Sequence, residues 1–373
     1  MKIVLVHDYI KEYGCAERVL EALHEIWPEA PVFTTIYLPE FLGPHKDRLK
    51  DWDIRASWMQ KIPFTDKLIS PMRLITPWIF ENIDFSEFDI IITSATGAYF
   101  PNLIVRKPET IHICYCHTPP RYLYGYPTAR DWQKHLIGRI AAGFINHYLR
   151  QWDFVSYQRP DYIIANSQEV KRRIAKFYRR EAEVVYPPVD LVSSIKYQVL
   201  SIKNKKYYLA GGRLARAKRI DLAIEACNKL RLPLKVFGKA FADYGEELKK
   251  KAGSTVEFLG EVGEEELSEL YQGAKAMIYP SEYEDFGIMP LEAQSFGTPV
   301  IGLNQGGVRE TIIDGKTGVL FDEPTVESVI GAIKKLRNLE IKGEDCLKNA
   351  KKFSKERFKT EIKNFVLNKL KQN

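Results

Sequence analysis

The chain has 373 residues, 45% of them apolar, five cysteines and a net charge of +7. That length suits two domains with ordinary cores. It has no apolar run of the ~18 residues that a membrane-spanning helix needs, and an odd, scattered set of cysteines excludes a disulfide framework. Residues 1–190 carry 24 Lys+Arg against 23 Asp+Glu, and the remainder carries 31 against 25. This mild positive field fits anionic substrates or an anionic membrane surface, and it is too dispersed for the basic stripe of a nucleic-acid binder.

MKIVLV begins like a signal peptide, but His7, Asp8, Lys11 and Glu12 follow at once, so the segment reads as a short buried strand. Val19, Leu20, Leu23, Ile26 and Trp27 recur at helical spacing and predict a helix from Ala16 to Trp27. Short apolar runs at Val32–Tyr37, Ile90–Ile92, Ile111–Tyr115 and Tyr162–Ala165 read as parallel-sheet strands. Cys114 and Cys116 would share one strand face, with no second pair to complete a four-ligand zinc site. The cysteine usage fits a reducing cytoplasm. Ser167 caps a further helix. Tyr186-Pro187-Pro188-Val189-Asp190 then breaks all periodicity, and its paired prolines make a stiff connector.

After the connector the alternation restarts: strand Tyr207–Ala210, helix Ile220–Leu230, strand Leu234–Phe237, helix 243–251, strand Val256–Leu259, helix 264–272, strand Ala276–Tyr279, a helix, and strand Pro299–Gly302. The reading is α/β: two doubly wound, Rossmann-like domains facing a cleft, residues 1–190 and 191–353. A last helix, 354–371, could cap either domain.

Ser281–Glu310 is the most informative stretch. Glu284 and Glu292 stand with seven residues between them, and Asp285-Phe286-Gly287 leads into a helix Ile288–Phe296 closed by Gly297. Pro290 is tolerated only in a first turn, so the helix starts near Phe286 or Gly287. Its mouth offers free N–H groups and a positive dipole end to a phosphate. A carboxylate on each side suits a ligand that is hydroxyl-rich, then charged, then hydroxyl-rich again, as a nucleotide-sugar is. Arg213 and Lys218 bracket a loop after a buried strand and could converge on a diphosphate; the plainer reading is a solvated basic loop.

GRLARAKRIDLAIEA (212–226), EDFGIMPLEAQSFGTPVI with its E-x7-E spacing, ANSQEVKRRI and VVYPPVD together resemble glycosyltransferase family 4, whose members have the GT-B fold. HDYI…GCAERV and CYCHTPPRYLYGYP are most similar to O-antigen and lipopolysaccharide-type mannosyltransferases of bacteria and archaea. The resemblance implies a retaining, metal-independent transfer of a sugar to a glycan or polyprenyl-linked glycan, forming an α-linkage. The donor would be GDP-mannose or another nucleotide-sugar, with no cofactor and no metal. It implies that Arg213 and Lys218 grip the diphosphate, that Glu284 contacts the transferred sugar, and that Glu292 holds the ribose. The backbone of Asp285, Phe286, Gly287 and Ile288 would line the donor, His117 would sit beside the sugar, and Gly14 would let the ligand approach the first β-α turn. Arg121 would meet an anionic acceptor. The sequence departs from the family at Cys15, where a second glycine is frequent, and at Arg219, where a glycine commonly follows the lysine.

Plainer alternatives stand beside these roles. Glu292 could be a solvent-facing helical carboxylate, His117 a core or capping histidine, Arg121 a structural ion pair, and Gly14 an ordinary tight turn. Asp51-Trp52-Asp53 matches the DxD metal signature of another glycosyltransferase fold, yet lies in an irregular stretch away from any strand end. Residues 55–80 and 130–150 mix aromatics with cations, as a peripheral segment on the cytoplasmic membrane face would and as core packing with snorkelling cations also would. A nucleotide-sugar epimerase of the same architecture, or a non-catalytic nucleotide-sugar binder, are the competing functions. An epimerase would need further acid and base carboxylates in the first domain, and no motif there supplies them.

Overall fold

A computed structural model of the chain describes residues 1–127, 136–191, 205–241 and 243–372, with backbone only at 136–141 and 372. They form two compact units. The first holds residues 1–125, the described part of 132–188, and the C-terminal helix from Glu356; the second holds 189–355 with Tyr126 and Pro127.

In the first unit the strands are β1 (Ile3–His7), β2 (Val32–Thr34), β3 (Ile54–Ala56), β4 (Ile90–Ala95), β5 (Ile111–Cys116), β6 (Tyr162–Ala165) and β7 (Glu183–Val184). All pair in parallel, in the order β3-β2-β1-β4-β5-β6-β7. Every residue of β1, β4 and β5 is buried, as strands covered on both faces must be. Their apolar side chains feed one core on each face of the sheet.

The second unit repeats the plan with β8 (Tyr207–Gly211), β9 (Leu234–Phe237), β10 (Val256–Gly260), β11 (Ala274–Tyr279), β12 (Val300–Leu303) and β13 (Gly318–Phe321), in the order β10-β9-β8-β11-β12-β13. Both orders reverse direction once, between β1 and β4 and between β8 and β11. Ligands of open α/β sheets bind beyond the carboxyl ends of strands at such a reversal. The α/β, two-domain reading therefore holds, and it fixes where a site belongs in each unit.

Three short strands, β3, β7 and β13, go beyond the sequence reading; β3 and β7 have too few residues to show a period. Residues 136–156 form one long helix, Leu136–Ser156, where the sequence showed only a mixture of aromatics and cations. The C-terminal helix, Lys355–Gln372, completes the first unit: Phe358, Ile362, Phe365 and Val366 are buried in a core with Ile3, Leu5, Ile111 and Tyr115.

Candidate active site

The charged candidates gather at the ends of β8 and β11. Gly212, at φ +104°, leaves β8 so closely packed that a Cβ there would lie 2.7 Å from Met289 Sδ. The exposed Arg213 follows. Lys218 ends a short 3-10 turn, Arg216–Lys218, and reaches across to the loop after β11. Its Nζ lies 2.5 Å from Glu284 Oε2 and 3.1 Å from the Tyr279 hydroxyl. Tyr279 and Ser281 donate to the same carboxylate oxygen at 3.0 and 2.5 Å. Three donors on one oxygen fix the carboxylate, and both partners of the ion pair keep limited exposure, 23% for the Lys218 side chain and 12% for Glu284. The sequence had assigned these two residues to different parts of a ligand; the fold places them in contact.

The helix after the loop runs Ile288–Ser295 with Gly287 at its N-cap, φ +93°, and Pro290 in its first turn. No side chain caps it, so its first N–H groups have no side-chain acceptor at the cap. Phe286 is buried and anchors the loop against Phe353, ring centroids 5.6 Å apart. Glu292, half-buried on the helix, accepts from the Tyr271 hydroxyl at 3.2 Å.

A second segment that sequence reasoning missed holds this loop in place. The Gly307 N–H donates to the Glu284 carbonyl at 2.8 Å. A Cβ at Gly306, whose φ is +62°, would stand 2.4 Å from that carbonyl oxygen, and one at Gly307 would stand 2.4 Å from Phe286 Cα. Gln305 Oε1 accepts the Tyr283 N–H at 2.9 Å, and Tyr283 itself has φ +51°. The Asn-Gln-Gly-Gly run after β12 was the available signal. Arg219 is an ion-pair residue, bound to Glu282 at 2.7 Å and Asp221 at 3.2 Å.

In the first unit the candidate histidine lies in a buried row of polar side chains. His117 follows β5, and its Nε2 lies 2.9 Å from Ser94 Oγ at the end of β4. Ser94 Oγ lies 3.0 Å from Nδ1 of His7, the last residue of β1. His7 Nε2 faces Glu17 Oε1 at 3.7 Å, and Glu17 Oε2 accepts the Gly14 N–H at 2.9 Å. Burial lowers His117 to about 3, so its imidazole is neutral near pH 7. Asp8, fully buried, is raised by desolvation, offset in part by the Thr96 hydroxyl, which donates at 2.6 Å. Sequence reasoning missed His7, Ser94 and Glu17. Gly14 is the N-cap of helix Cys15–Ile26 at φ −130°, which any residue adopts, and a Cβ would meet only Glu17 Oε2, at 3.4 Å. The chain does not need glycine there for its backbone. Arg121 is half-buried in the turn beyond His117.

Of the remaining candidates, Asp53 is engaged by Arg55 at 2.8 Å, and Trp52 stacks on His24. Among the described residues no group of three His, Cys, Asp or Glu side chains could hold a metal ion. Cys114 accepts from Asn102, and Cys116 meets the Tyr157 hydroxyl. Residues 55–80 are divided: Met59, Met72, Ile79 and Phe80 are core, while Trp58, Phe64, Leu74 and Trp78 are exposed. Helix Leu136–Ser156 exposes Phe144, Tyr148, Trp152 and Val155, roughly one turn apart; residues 130–135 lie outside the described residues. No described helix is long and apolar enough to cross a membrane.

Comparison with known proteins agrees with this layout. Residues 14–193 match the family model described as Glycosyltransferase Family 4, and residues 193–353 the one described as Glycosyl transferases group 1. The alpha-1,3/1,6-mannosyltransferase ALG2 of Kluyveromyces lactis is 27% identical over 61% of this chain and 53% of its own length. The human ALG2 is 27% identical over 75% of this chain and 73% of its own. The chain thus spans about half to three quarters of these relatives. Among solved structures, Anabaena HepE in complex with UDP-glucose superposes with a TM-score of 0.66 at 17% identity, covering 99% of this chain and 100% of its own.

Proposed function

Because the chain belongs to glycosyltransferase family 4 and has the GT-B fold, we propose that it transfers mannose from GDP-mannose to a glycan or polyprenyl-linked glycan, with retention and without a metal. The single observation that carries this reading is the Lys218–Glu284 contact at the β8/β11 reversal, in front of the helix mouth at Gly287. The names of the ALG2 relatives favour mannose.

In this reading Lys218, Arg213 and the N–H groups of Ile288 and its neighbours hold the diphosphate. As the glycosidic bond breaks, negative charge grows on the leaving oxygen, and fixed donors stabilise it without reorganising. Two cations and a helix terminus supply the role that a metal fills elsewhere. Glu284, oriented by Tyr279 and Ser281, holds sugar hydroxyls; Glu292, steadied by Tyr271, holds ribose hydroxyls. His117 is assigned to a sugar hydroxyl and Arg121 to an anionic acceptor. Retention is favoured because neither alternative finds a candidate among the described residues assigned above. An inverting enzyme needs a base opposite the leaving group, and His117, at about 3, is a poor one. A double displacement needs a carboxylate at the anomeric carbon, and Glu284 is assigned to sugar hydroxyls away from that carbon. What remains is attack on the face of departure: the acceptor hydroxyl forms the new C–O bond, the diphosphate leaves, and its oxygen takes the hydroxyl proton. The exposed aromatics of 55–80 and of helix Leu136–Ser156 would rest on an anionic membrane that carries the acceptor.

The test is transfer from GDP-mannose to polyprenyl-linked saccharides, with and without EDTA, and with anionic or neutral vesicles. GDP released only with acceptor, undiminished by EDTA, and an α-linked product by NMR coupling constant support the reading. An epimerised sugar nucleotide without acceptor would make the protein an epimerase. A β-linked product would sink the retaining mechanism, and indifference to lipid charge would remove the membrane.

A further inference from the structure

We propose that Glu17, His7 and Ser94 are positioning residues that hold His117 Nδ1 as a bare hydrogen-bond acceptor, shaped to take the proton of a ligand hydroxyl and to refuse a phosphate or carbonyl oxygen. The ligand part rests on the reading of His117 given above. The arrangement of protons does not.

The argument follows single protons along the row Glu17–His7–Ser94–His117. His117 Nδ1 and His7 Nε2 are buried without a hydrogen-bond partner. A neutral imidazole has one N–H and one bare nitrogen, and a serine hydroxyl has one proton to give. Glu17 cannot turn away, because the Gly14 N–H occupies its Oε2 at 2.9 Å. Its Oε1 therefore stays 3.7 Å from His7 Nε2. A bare nitrogen facing a carboxylate oxygen sets lone pair against lone pair, whereas an N–H there is attracted. With His7 neutral, its proton sits on Nε2 and its Nδ1 is bare. Ser94 then donates to His7 Nδ1 across 3.0 Å and accepts across 2.9 Å from His117 Nε2. His117 has spent its only N–H, so Nδ1 presents a lone pair. The opposite order would turn His7 Nε2 into a bare nitrogen against Glu17.

The same reasoning gives a sharp variant. In Glu17→Gln the amide oxygen must take the Gly14 N–H, so the NH2 group faces His7 Nε2. The row reverses: His7 becomes Nδ1–H, Ser94 donates to His117 Nε2, and His117 carries its proton on Nδ1. Shape and volume are nearly unchanged, so a merely structural role for Glu17 would not move the tautomer. Ser94→Ala cuts the row and leaves His117 with no bias.

The experiment is long-range 1H–15N correlation NMR on the full chain labelled at histidine, which separates protonated from bare ring nitrogens; loss of one set of signals in His117→Gln assigns the ring. The expected wild-type result is His117 with Nε2–H and bare Nδ1, inverted in Glu17→Gln and mixed in Ser94→Ala. A wild-type Nδ1–H, or no inversion in Glu17→Gln, overturns the proposal; should Glu17→Gln fail to fold, the wild-type tautomer alone decides. GDP-mannose, added at a concentration that calorimetry shows to be saturating, is expected to shift Nδ1 and leave Nε2 protonated. An unmoved Nδ1 overturns the hydroxyl role while the proton row stands. No calorimetric binding would instead remove GDP-mannose as donor.

Discussion

At the ends of β8 and β11, Lys218 and Glu284 meet as ions with partial exposure, on a loop whose path depends on Gly306 and Gly307. At the ends of β1, β4 and β5, His7, Ser94 and His117 meet with almost no exposure, and burial keeps His117 neutral. The strand order around the two places is the same. In the proposed reading the second domain's site works through fixed charge, which falls off slowly and tolerates some movement. The first domain's works through the direction of individual protons, which is lost with one misplaced atom. A topology therefore sets where a site forms, and burial decides which kind of interaction it can use.

Removing the charge should separate the two most strongly. Lys218→Ala is expected to lower kcat by about 10²–10³, the usual cost of one donor aimed at developing charge. Glu284→Ala should also act mainly on kcat. Wild-type turnover in Lys218→Ala would break the assignment of fixed charge to the second domain. Gly306→Ala tests the backbone behind that charge. The new Cβ would stand 2.4 Å from the Glu284 carbonyl oxygen, and such strain costs about 1–3 kcal/mol. A lower Tm together with a lower kcat is expected; a lower Tm with full turnover would detach Gly306 from the position of Glu284.

Smaller effects sharpen the contrast. Glu292→Ala should raise the donor KM by about tenfold, near the ~1.5 kcal/mol of a charged hydrogen bond, with kcat nearly unchanged. In the first domain the measurable quantity is pH dependence. Asp153, buried under the Tyr124 and Tyr178 hydroxyls at 2.6 and 2.9 Å, is pushed by desolvation from 3.8 to about 7. Between those values the folded chain holds a proton that the unfolded chain has released, so stability falls as pH rises through that window. Asp153→Asn should flatten the slope of Tm between about pH 4 and pH 7. An unchanged slope would show that burial does not govern this carboxylate.

Much of this was legible in the sequence because it is local. Alternating apolar runs and turn residues marked the β-α units, and the spacing of Glu284, Pro290 and Glu292 located a helix start within a residue or two. Arg219 was legible only as a cation, since its partners Glu282 and Asp221 depend on tertiary placement. His7 and Ser94 are 87 residues apart, and nothing in either neighbourhood announces the other. Glu17 reads as a common acidic residue of a first helical turn, and its second duty toward His7 exists only after β1 and that helix pack. Helix Leu136–Ser156 escaped because its exposed aromatics obscure the apolar stripe that usually marks a helix.

The return of the last helix to the first unit has a consequence for the order of manufacture. Phe358 is fully buried in the core that contains Ile3 and Leu5, so β1 is not sealed until the helix that carries Phe358 has been made. A ribosome delivers residues at about 5–20 per second, and during that interval the nascent first unit must persist with an apolar face unsealed. The second unit, Val189–Lys355, is nearly contiguous and can close while the first still waits. The sheet of the first unit is sealed only after the second unit has been made, and damage near residue 360 should be felt as instability of that sheet.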